Sequence, residues 1–381
     1  MNSNNEIMLS SFTLPNGVEL KNRIVMAPMT NFSSNSDGTV TDAEVRYYGR
    51  RSSGASMVIT ACTYITPNGK GFHGEFGGDS DDMIPSLKRI AQAIKEKGAK
   101  AVLQIFHGGR SCPPELVPNG EIVSASDVPA EKSGVSTEEP DVKPRPLTEQ
   151  EVEDMITAFG ETTRRAIEAG YDGVEIHGAN GYLIQQFFSP HSNRREDRFG
   201  GSLEKRMTFP LAVVDRVIKV VNEHAPSSFI VGYRFSPEEP ESPGITMDET
   251  LMLVDALADK ELHYLHVSLT DFFSKPRRGV ADLNKTRIQY LLETIDNRVP
   301  LIGVGSIYSA EDARKAFDTG VSLLALGREL IIDPDWVQKV TEGKEIEIVT
   351  KIDKDKQQEL MIPDPLWKAI IHTPGWFPGI S

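Results

Sequence analysis

Short apolar runs recur eight times along the chain, each with the length and composition of a buried strand. Segments between them carry hydrophobic residues at helical spacing. The strand candidates are Ile24–Met29, Ala55–Cys62, Ala99–His107, Asp172–Gly178, Ile230–Ser236, Leu262–Leu269, Val299–Ser306 and Val321–Arg328. Repeated strand–helix alternation predicts a parallel sheet, and eight units is the number that closes a β/α barrel.

Boundary signals support the predicted helices. A Thr or Ser followed three residues later by an acidic residue forms a capping box, which satisfies free N–H groups of the first helical turn. A glycine between a helix and the next strand suits a terminator that needs a positive φ. The capping residues are Thr41, Thr148, Thr246 and Ser309, and the terminal glycines are Gly54, Gly98, Gly170 and Gly320.

An open, doubly wound sheet is the structural alternative. Such a sheet usually has a glycine-rich turn after its first strand. Here that position reads Ala27-Pro28-Met29-Thr30, and no G-x-G-x-x-G opens a helix anywhere. We therefore predict one α/β domain over residues 1–381, a (β/α)8 TIM barrel.

Two stretches fall outside the repeat. Residues 113–146 hold seven prolines without sustained periodicity. Because they follow the carboxyl end of the third strand, we predict a lid over the barrel mouth. The tail, residues 351–381, contains Trp367 and Trp376. Such side chains are not left in water, so the tail is predicted to pack on the barrel or on a neighbouring subunit of a homo-oligomer.

Composition narrows the function classes. A formal charge of −14 argues against nucleic acid or an anionic membrane as partner, so an anionic ligand needs local arginines and backbone N–H groups. The only cysteines, Cys62 and Cys112, form no paired motif, which argues against a thiolate metal site and suggests a reducing compartment. No signal peptide or membrane span is evident. We predict a soluble, cytoplasmic protein without a metal, acting on a small molecule.

The ends of the last two predicted strands are typical of a phosphate site. Phosphate commonly binds β/α barrels after strands seven and eight, at their carboxyl ends. Gly303 and Gly305 follow one strand, and Gly327 with Arg328 follows the other. Either glycine turn alone is as readily a tight turn, but two adjacent units with one arginine favour phosphate binding.

Earlier strand ends carry different chemistry. Gln104 both donates and accepts hydrogen bonds, and Arg234 adds a permanent charge, so together they suit a heterocycle that gains negative charge. His177, Asn180 and Tyr182 supply two donors and a phenol that can release a proton while uncharged. Taken singly, a strand-end histidine with a surface loop is the simpler interpretation, and Arg234 could belong to a structural ion pair.

The run HGANGYLIQQFFSPHSNRREDRFGGS, residues 177–202, resembles the most characteristic segment of the old yellow enzyme family, flavin-dependent ene-reductases on a β/α barrel. Similar segments follow the family's order from about Leu14 to about Glu342, among them LKNRIVMAPMT, LQIFHGGR, GVGSIYSAEDA and LGRELIIDPDW. The resemblance implies an NAD(P)H-dependent oxidoreductase with tightly, non-covalently bound FMN. Its substrates are expected to be activated alkenes, namely α,β-unsaturated carbonyl or nitro compounds.

The resemblance also implies residue roles. Tyr182 is expected to be the proton donor, while His177 and Asn180 bind the substrate oxygen and His177 also contacts the flavin. Gln104 and Arg234 are expected to hold the pyrimidine edge. Further implied FMN contacts are Ala27, Pro28, Met29, Thr30 and Ala61 at the ring, and Gly303, Gly305, Gly327 and Arg328 at the phosphate.

Two other functions stay open at this point. A flavin-free, phosphate-binding aldolase or isomerase needs a lysine or carboxylate at a strand end, and only Glu175, inside the fourth strand, comes near. A non-catalytic flavin carrier or sensor would bind the flavin but have no substrate of its own. Thr30 stands where one branch of the family has cysteine, and Asn180 where some relatives have histidine, so redox tuning and substrate preference do not follow from the resemblance.

Overall fold

Parallel strands close into an eight-stranded barrel in the computed structural model, which describes residues 5–131 and 142–380. Strand β8 pairs with β1, with Ala325 opposite Val25, and this pairing closes the cylinder. The (β/α)8 prediction is therefore confirmed over the open sheet. The strands are β1 Ile24–Met26, β2 Met57–Tyr64, β3 Lys100–Phe106, β4 Gly173–Gly178, β5 Ile230–Phe235, β6 Tyr264–Val267, β7 Leu301–Gly303 and β8 Leu323–Leu326.

Helices surround the barrel and begin at the predicted caps. Thr41, Thr148, Thr246 and Ser309 are N-caps, and Thr286 forms a further capping box through an amide, Gln289, that was not predicted. The longer helices are α1 Asp42–Arg51, α2 Ile84–Lys95, α3 Glu149–Glu168, α4 Leu203–His224, α5 Met247–Ala258, α6 Arg287–Ile295 and α7 Ala310–Phe317. Shorter ones are Glu6–Leu9, Leu183–Phe188, Arg328–Ile332, Trp336–Thr341 and Asp364–Ile371. Within the described ranges, no helix is both long and apolar enough to cross a bilayer.

The glycines between helices and strands serve two purposes. Gly98, Gly170 and Gly320 have φ of +82°, +83° and +91°, as predicted for helix terminators. The prediction for Gly54 was wrong, because its φ is not positive. A Cβ at Gly54 would lie 2.7 Å from the Cβ of Val337, so close packing explains this glycine.

The core fixes which end of the barrel is open. A hairpin of Phe12–Thr13 with Glu19–Leu20 places Leu14 and Leu20 in the same buried cluster as the inward-facing strand residues. Asn16 Nδ2 in this hairpin donates to the Phe229 carbonyl, which precedes β5. The hairpin therefore plugs the amino-terminal end, and the carboxyl end is left for a site.

Both stretches outside the repeat pack against the barrel where they are described. In the 113–146 segment, Val123–Ser124 pairs with Arg145–Pro146, and Ser124 Oγ donates to Gln186 on the helix after β4. Residues 132–141, with Pro140, lie outside the described residues. In the tail, Leu366 and Phe377 are at most 1% exposed, so the tail packs on its own barrel, one of the two predicted alternatives.

Candidate active site

A groove runs across the carboxyl end of the barrel. Two cavities form it, and they share Pro28, Met29 and Arg234. The first, here called the Tyr182 end, is also lined by Thr30, Cys62, Gln104, His177, Asn180 and Tyr182. The second, the Arg328 end, is also lined by Ala27, Leu269, Val304, Gly305, Ser306, Ile307, Tyr308, Ala325, Gly327, Arg328 and Glu329.

The structure brings every predicted site residue to this groove except Ala61 and Gly303. Ala61 belongs to the core between strands and helices, while Cys62 lines the groove. The β2–β3 register shifts between Ile59 and Cys62, which changes the residue that faces inward. Gly303 lies against Phe272. A Cβ at this position would clash with the Phe272 ring, so close packing explains this glycine.

His177 is a neutral hydrogen-bond donor. Its Nδ1 accepts the Ala179 N–H at 3.3 Å. Burial, reinforced by the charge of Arg234, lowers the pKa of His177 to about 3. A neutral imidazole that accepts at Nδ1 carries its proton on Nε2, and that N–H is left for a ligand.

Asn180 is held by two serines. It has a left-handed φ of 58°, a conformation that asparagine tolerates better than most residues. Its N–H donates to Ser236 Oγ at 2.8 Å, and Ser268 Oγ donates to its Oδ1 at 2.8 Å. Because Ser268 occupies the amide oxygen, the side-chain NH2 remains as a donor for the groove.

Tyr182 is fixed by aromatic neighbours. Its ring lies 4.6 Å from Phe106 and 5.2 Å from the His177 ring, nearly perpendicular to both. Burial raises the pKa of Tyr182 above its usual range, so the phenol stays protonated at neutral pH. The Tyr182 end therefore presents three neutral groups that can donate a hydrogen: an imidazole, an amide and a phenol.

Arg234 brings a buried cation to the same cavity. It is 8% exposed, and its Nε has no hydrogen-bond partner among the described residues. Burial lowers the pKa of Arg234 while the charge of Glu175 opposes this. Among the described residues, Glu175 bonds Gln104 and His266 and forms no salt bridge with Arg234. The structural ion pair considered for Arg234 is therefore not what holds this side chain. An unsatisfied buried guanidinium is typical of a place where an acceptor binds.

The Arg328 end suits an anion. The Arg328 guanidinium donates to the Trp376 carbonyl and to Ser306 Oγ, both at 2.9 Å, and these neutral acceptors leave its charge uncompensated. Burial, with Asp333 nearby, raises the pKa of Glu329 to about 10, so this carboxyl is neutral at pH 7 and does not repel an anion. Gly305 has φ +142°, and a Cβ there would lie 2.5 Å from Phe272 N. The residues present therefore fit FMN, with a planar ring at one end and a phosphate at the other.

Comparison with known proteins agrees with this geometry. Residues 10–347 match the NADH:flavin oxidoreductase / NADH oxidase family. The chain belongs to this family. It is 54% identical over 378 residues to the probable NADH-dependent flavin oxidoreductase YqiG of Bacillus subtilis, covering 99% of each chain.

Two further similar proteins are informative. The chain is 44% identical to the NADH:fumarate oxidoreductase of Klebsiella pneumoniae over 96% of its own length but only 39% of that protein's. Morphinone reductase in complex with tetrahydroNAD superposes with a TM-score of 0.74 at 29% identity, covering 88% of this chain and 91% of that one. The old yellow enzyme resemblance is confirmed. The protein is an NAD(P)H-dependent flavin oxidoreductase that uses FMN, and neither the flavin-free aldolase or isomerase nor a non-catalytic flavin carrier is supported.

Several residues that line the groove or support its side chains were not predicted as site residues from the sequence. Cys62 and Ser268 were missed because a register shift and a loop contact decide their positions. The Trp376 carbonyl was missed because a backbone group carries no signal in the sequence. Glu175 was considered only as a possible base and His266 was not considered, although each is a titratable residue inside a buried strand.

Proposed function

We propose that the protein reduces activated C=C bonds at the Tyr182 end of the groove, with FMN lying across both ends. The observation that carries this proposal is the set of neutral donors, His177, Asn180 and Tyr182, in one cavity with Arg234. Such a set suits a substrate oxygen that becomes negative and a carbon that needs a proton. The substrate class is α,β-unsaturated carbonyl compounds, with nitroalkenes as a second group.

FMN held in this groove would supply the hydride chemistry that links NAD(P)H to the β-carbon of the alkene. His177 Nε2–H and the Asn180 NH2 donate to the substrate oxygen and stabilise its growing charge. Tyr182 donates its phenolic proton to the α-carbon. Gln104 and Arg234 would hold the pyrimidine edge of FMN, where the charge of Arg234 would favour added electrons.

The remaining roles follow the two ends of the groove. We assign the Arg328 end to the phosphate, and we assign the ring to the Tyr182 end together with the residues that the two ends share. The ring contacts are Ala27, Pro28, Met29 and Thr30, and the phosphate contacts are Gly305, Gly327 and Arg328. Ala61 and Gly303 are given no part in this assignment, because neither residue lines the groove.

Organisation beyond the site is also proposed. The described parts of the segment 113–146 are proposed to form a lid, because Ser124 Oγ donates to Gln186 on the helix Leu183–Phe188, directly after Tyr182. A single domain over residues 1–381, a cytoplasmic location and a homo-oligomer formed through the tail remain predictions. Partly buried Trp367 and Trp376 are the tail residues that such an interface would use.

Anaerobic turnover tests the proposed function. The purified protein is given NADH or NADPH with 2-cyclohexenone, acrylate, fumarate or a nitroalkene, and products are identified by mass spectrometry. Unsaturated carboxylates are included because the Klebsiella relative is named for fumarate. We expect a saturated product with at least one alkene. Nicotinamide oxidation with oxygen, but with no alkene in the panel, would contradict the proposal.

Replacing Arg328 with alanine is expected to weaken FMN binding roughly 10- to 100-fold, since charge-assisted hydrogen bonds contribute about 1.5–3 kcal/mol. Titration of apoprotein with FMN, followed by quenching of flavin fluorescence, measures this. Arg298→Ala is the control, because Arg298 pairs with Asp255 and Asp259 at the surface. Equal affinities of the two variants would remove Arg328 from the phosphate site.

Replacing Glu329 with glutamine is expected to flatten the pH dependence of stability. The folded pKa of about 10 lies above the unfolded value, so between these two pKa values the native state keeps a proton that the unfolded chain releases, and the free energy of unfolding falls as pH rises. Between pH 5 and 9 the wild type should therefore lose stability relative to Glu329→Gln. Urea unfolding at several pH values measures this, and parallel curves for the two proteins would contradict it.

A further inference from the structure

A buried hydrogen-bonded chain lies inside the barrel next to the groove. Gln104 Nε2 donates to Glu175 Oε1 at 2.7 Å, and His266 Nδ1 bonds Glu175 Oε2 at 2.8 Å. Glu175 and His266 are fully buried, and Gln104 is 2% exposed. A carboxylate is almost never this buried unless it is paired. The proposed mechanism uses Gln104 but neither of the two residues behind it.

Strand register explains why these groups meet. Gln104 on β3 is directly opposite Glu175 on β4, and Arg234 on β5 is opposite both His177 and His266. Glu175 interacts electrostatically with four charged or titratable groups around it, namely Arg234, His266, His177 and Tyr264. Among the described residues, Glu175 is therefore the carboxylate next to Arg234, the buried cation that lines the Tyr182 end.

Glu175 is ionised in this setting. Burial alone would raise the pKa of Glu175, but His266, Arg234 and Gln104 together lower it below its usual value. Burial lowers the pKa of His266, so a neutral imidazole donates its Nδ1–H to a carboxylate. The Nε2 of His266 has no partner among the described residues, so Glu175 is the only group among them that bonds this imidazole.

An ionised Glu175 determines how Gln104 is oriented. A carboxylate only accepts hydrogen bonds, so the part of the Gln104 amide that faces it must be the NH2. The amide oxygen of Gln104 then remains as an acceptor for the groove. Without the carboxylate, the amide could turn by 180° and present donors alone.

Glu175 also acts on the groove through its charge. A carboxylate near the pyrimidine edge disfavours extra electrons there, and it offsets part of the effect of Arg234. We propose that Glu175 is a positioning residue that orients Gln104 toward FMN and lowers the flavin's electron affinity, and that His266 keeps Glu175 ionised. This inference rests on the proposed roles of Gln104 and Arg234 in FMN binding.

Glu175→Gln tests both parts, because it keeps the shape and removes the charge. The FMN-loaded variant should have a more positive midpoint potential, with the ratio of reduced to oxidised flavin at a fixed solution potential rising roughly tenfold, the order expected for one buried charge. The dissociation constant of oxidised FMN should also rise several-fold, because Gln104 loses its preferred orientation. Spectroelectrochemistry measures the potential, and fluorescence titration measures the dissociation constant.

Glu44→Gln is the matched control. Glu44 is also fully buried and accepts from Ser34 Oγ and the Thr41 N–H, both at 2.8 Å, but it belongs to α1, outside the groove. The midpoint potential and the FMN affinity of Glu44→Gln should equal those of the wild type. Wild-type values in folded Glu175→Gln, or the same shift in Glu44→Gln, would overturn the inference.

His266→Phe supplies a second test that does not depend on Glu175→Gln folding. Loss of the Nδ1–H donor raises the pKa of Glu175, so the potential should match the wild type at high pH and rise toward the Glu175→Gln value as pH falls. His177, with a pKa of about 3, does not titrate in this range. A shift that is independent of pH, or no shift, would overturn the role of His266.

The outcomes also separate this inference from the proposed function. A protein that binds FMN and oxidises nicotinamide but reduces no alkene refutes the proposed function, while the potentials still test Glu175. If the protein reduces alkenes but its flavin midpoint potential is unchanged in Glu175→Gln, only the inference about Glu175 is refuted.

Discussion

Tyr182→Phe is expected to slow reoxidation of the flavin by an alkene about 10²- to 10⁴-fold, the usual contribution of a general acid. Flavin reduction by NAD(P)H should stay near the wild-type rate, because that half-reaction needs no proton from Tyr182. Stopped-flow absorbance under anaerobic conditions measures the two half-reactions separately. Phe106 and His177 hold the ring at its edges, so the phenylalanine should keep the same position.

Tyr290→Phe is the control for this prediction. Tyr290 lies on α6 and bonds the backbone of Asp282, outside the groove, so its variant should behave as the wild type in both half-reactions. If Tyr182→Phe instead slowed both half-reactions equally, Tyr182 would not be the proton donor.

His177→Ala is expected to slow alkene reduction about 10²- to 10³-fold, the effect of losing one oxyanion donor. It should also weaken the binding of phenolic ligands, which mimic the charged substrate oxygen. Because the pKa of His177 is about 3, ligand affinity in the wild type should not show a histidine titration between pH 5 and 8. Spectral titration of the flavin with a phenol across this pH range measures the phenol affinity and its pH dependence, and stopped-flow absorbance measures alkene reduction.

His263→Ala is the matched control. Like His177, His263 accepts a backbone N–H at Nδ1, from Val231, but it precedes β6 at the closed end of the barrel. Phenol affinity should be unchanged in this variant. Unchanged affinity in His177→Ala would contradict the assigned role of His177.

The barrel could be predicted because local signals and tertiary packing agree. Strands such as Ile24–Met26 and Leu323–Leu326 are buried along their whole length, so each reads as a continuous apolar run. Capping residues such as Thr41 and Thr148 mark helix starts through bonds within four residues of sequence. Polar residues at the carboxyl ends of the strands then converge by topology alone.

The rest depends on contacts between distant residues. Cys62 replaces Ala61 in the groove because of a register shift between two strands, which no local pattern records. Gly54 is a glycine because Val337, far along the chain, packs against it. The groove also needs the Trp376 carbonyl, which depends on where the tail folds back.

The proposed function requires the groove to deliver hydride and a proton to an alkene. The most direct test reduces the FMN-loaded protein with one equivalent of NADH without oxygen, then mixes it with acrylate or an enone while the visible spectrum is recorded. We predict that the oxidised flavin spectrum returns with one saturated product formed per flavin. A flavin that stays reduced with every alkene, yet reoxidises when oxygen is admitted, would contradict the account.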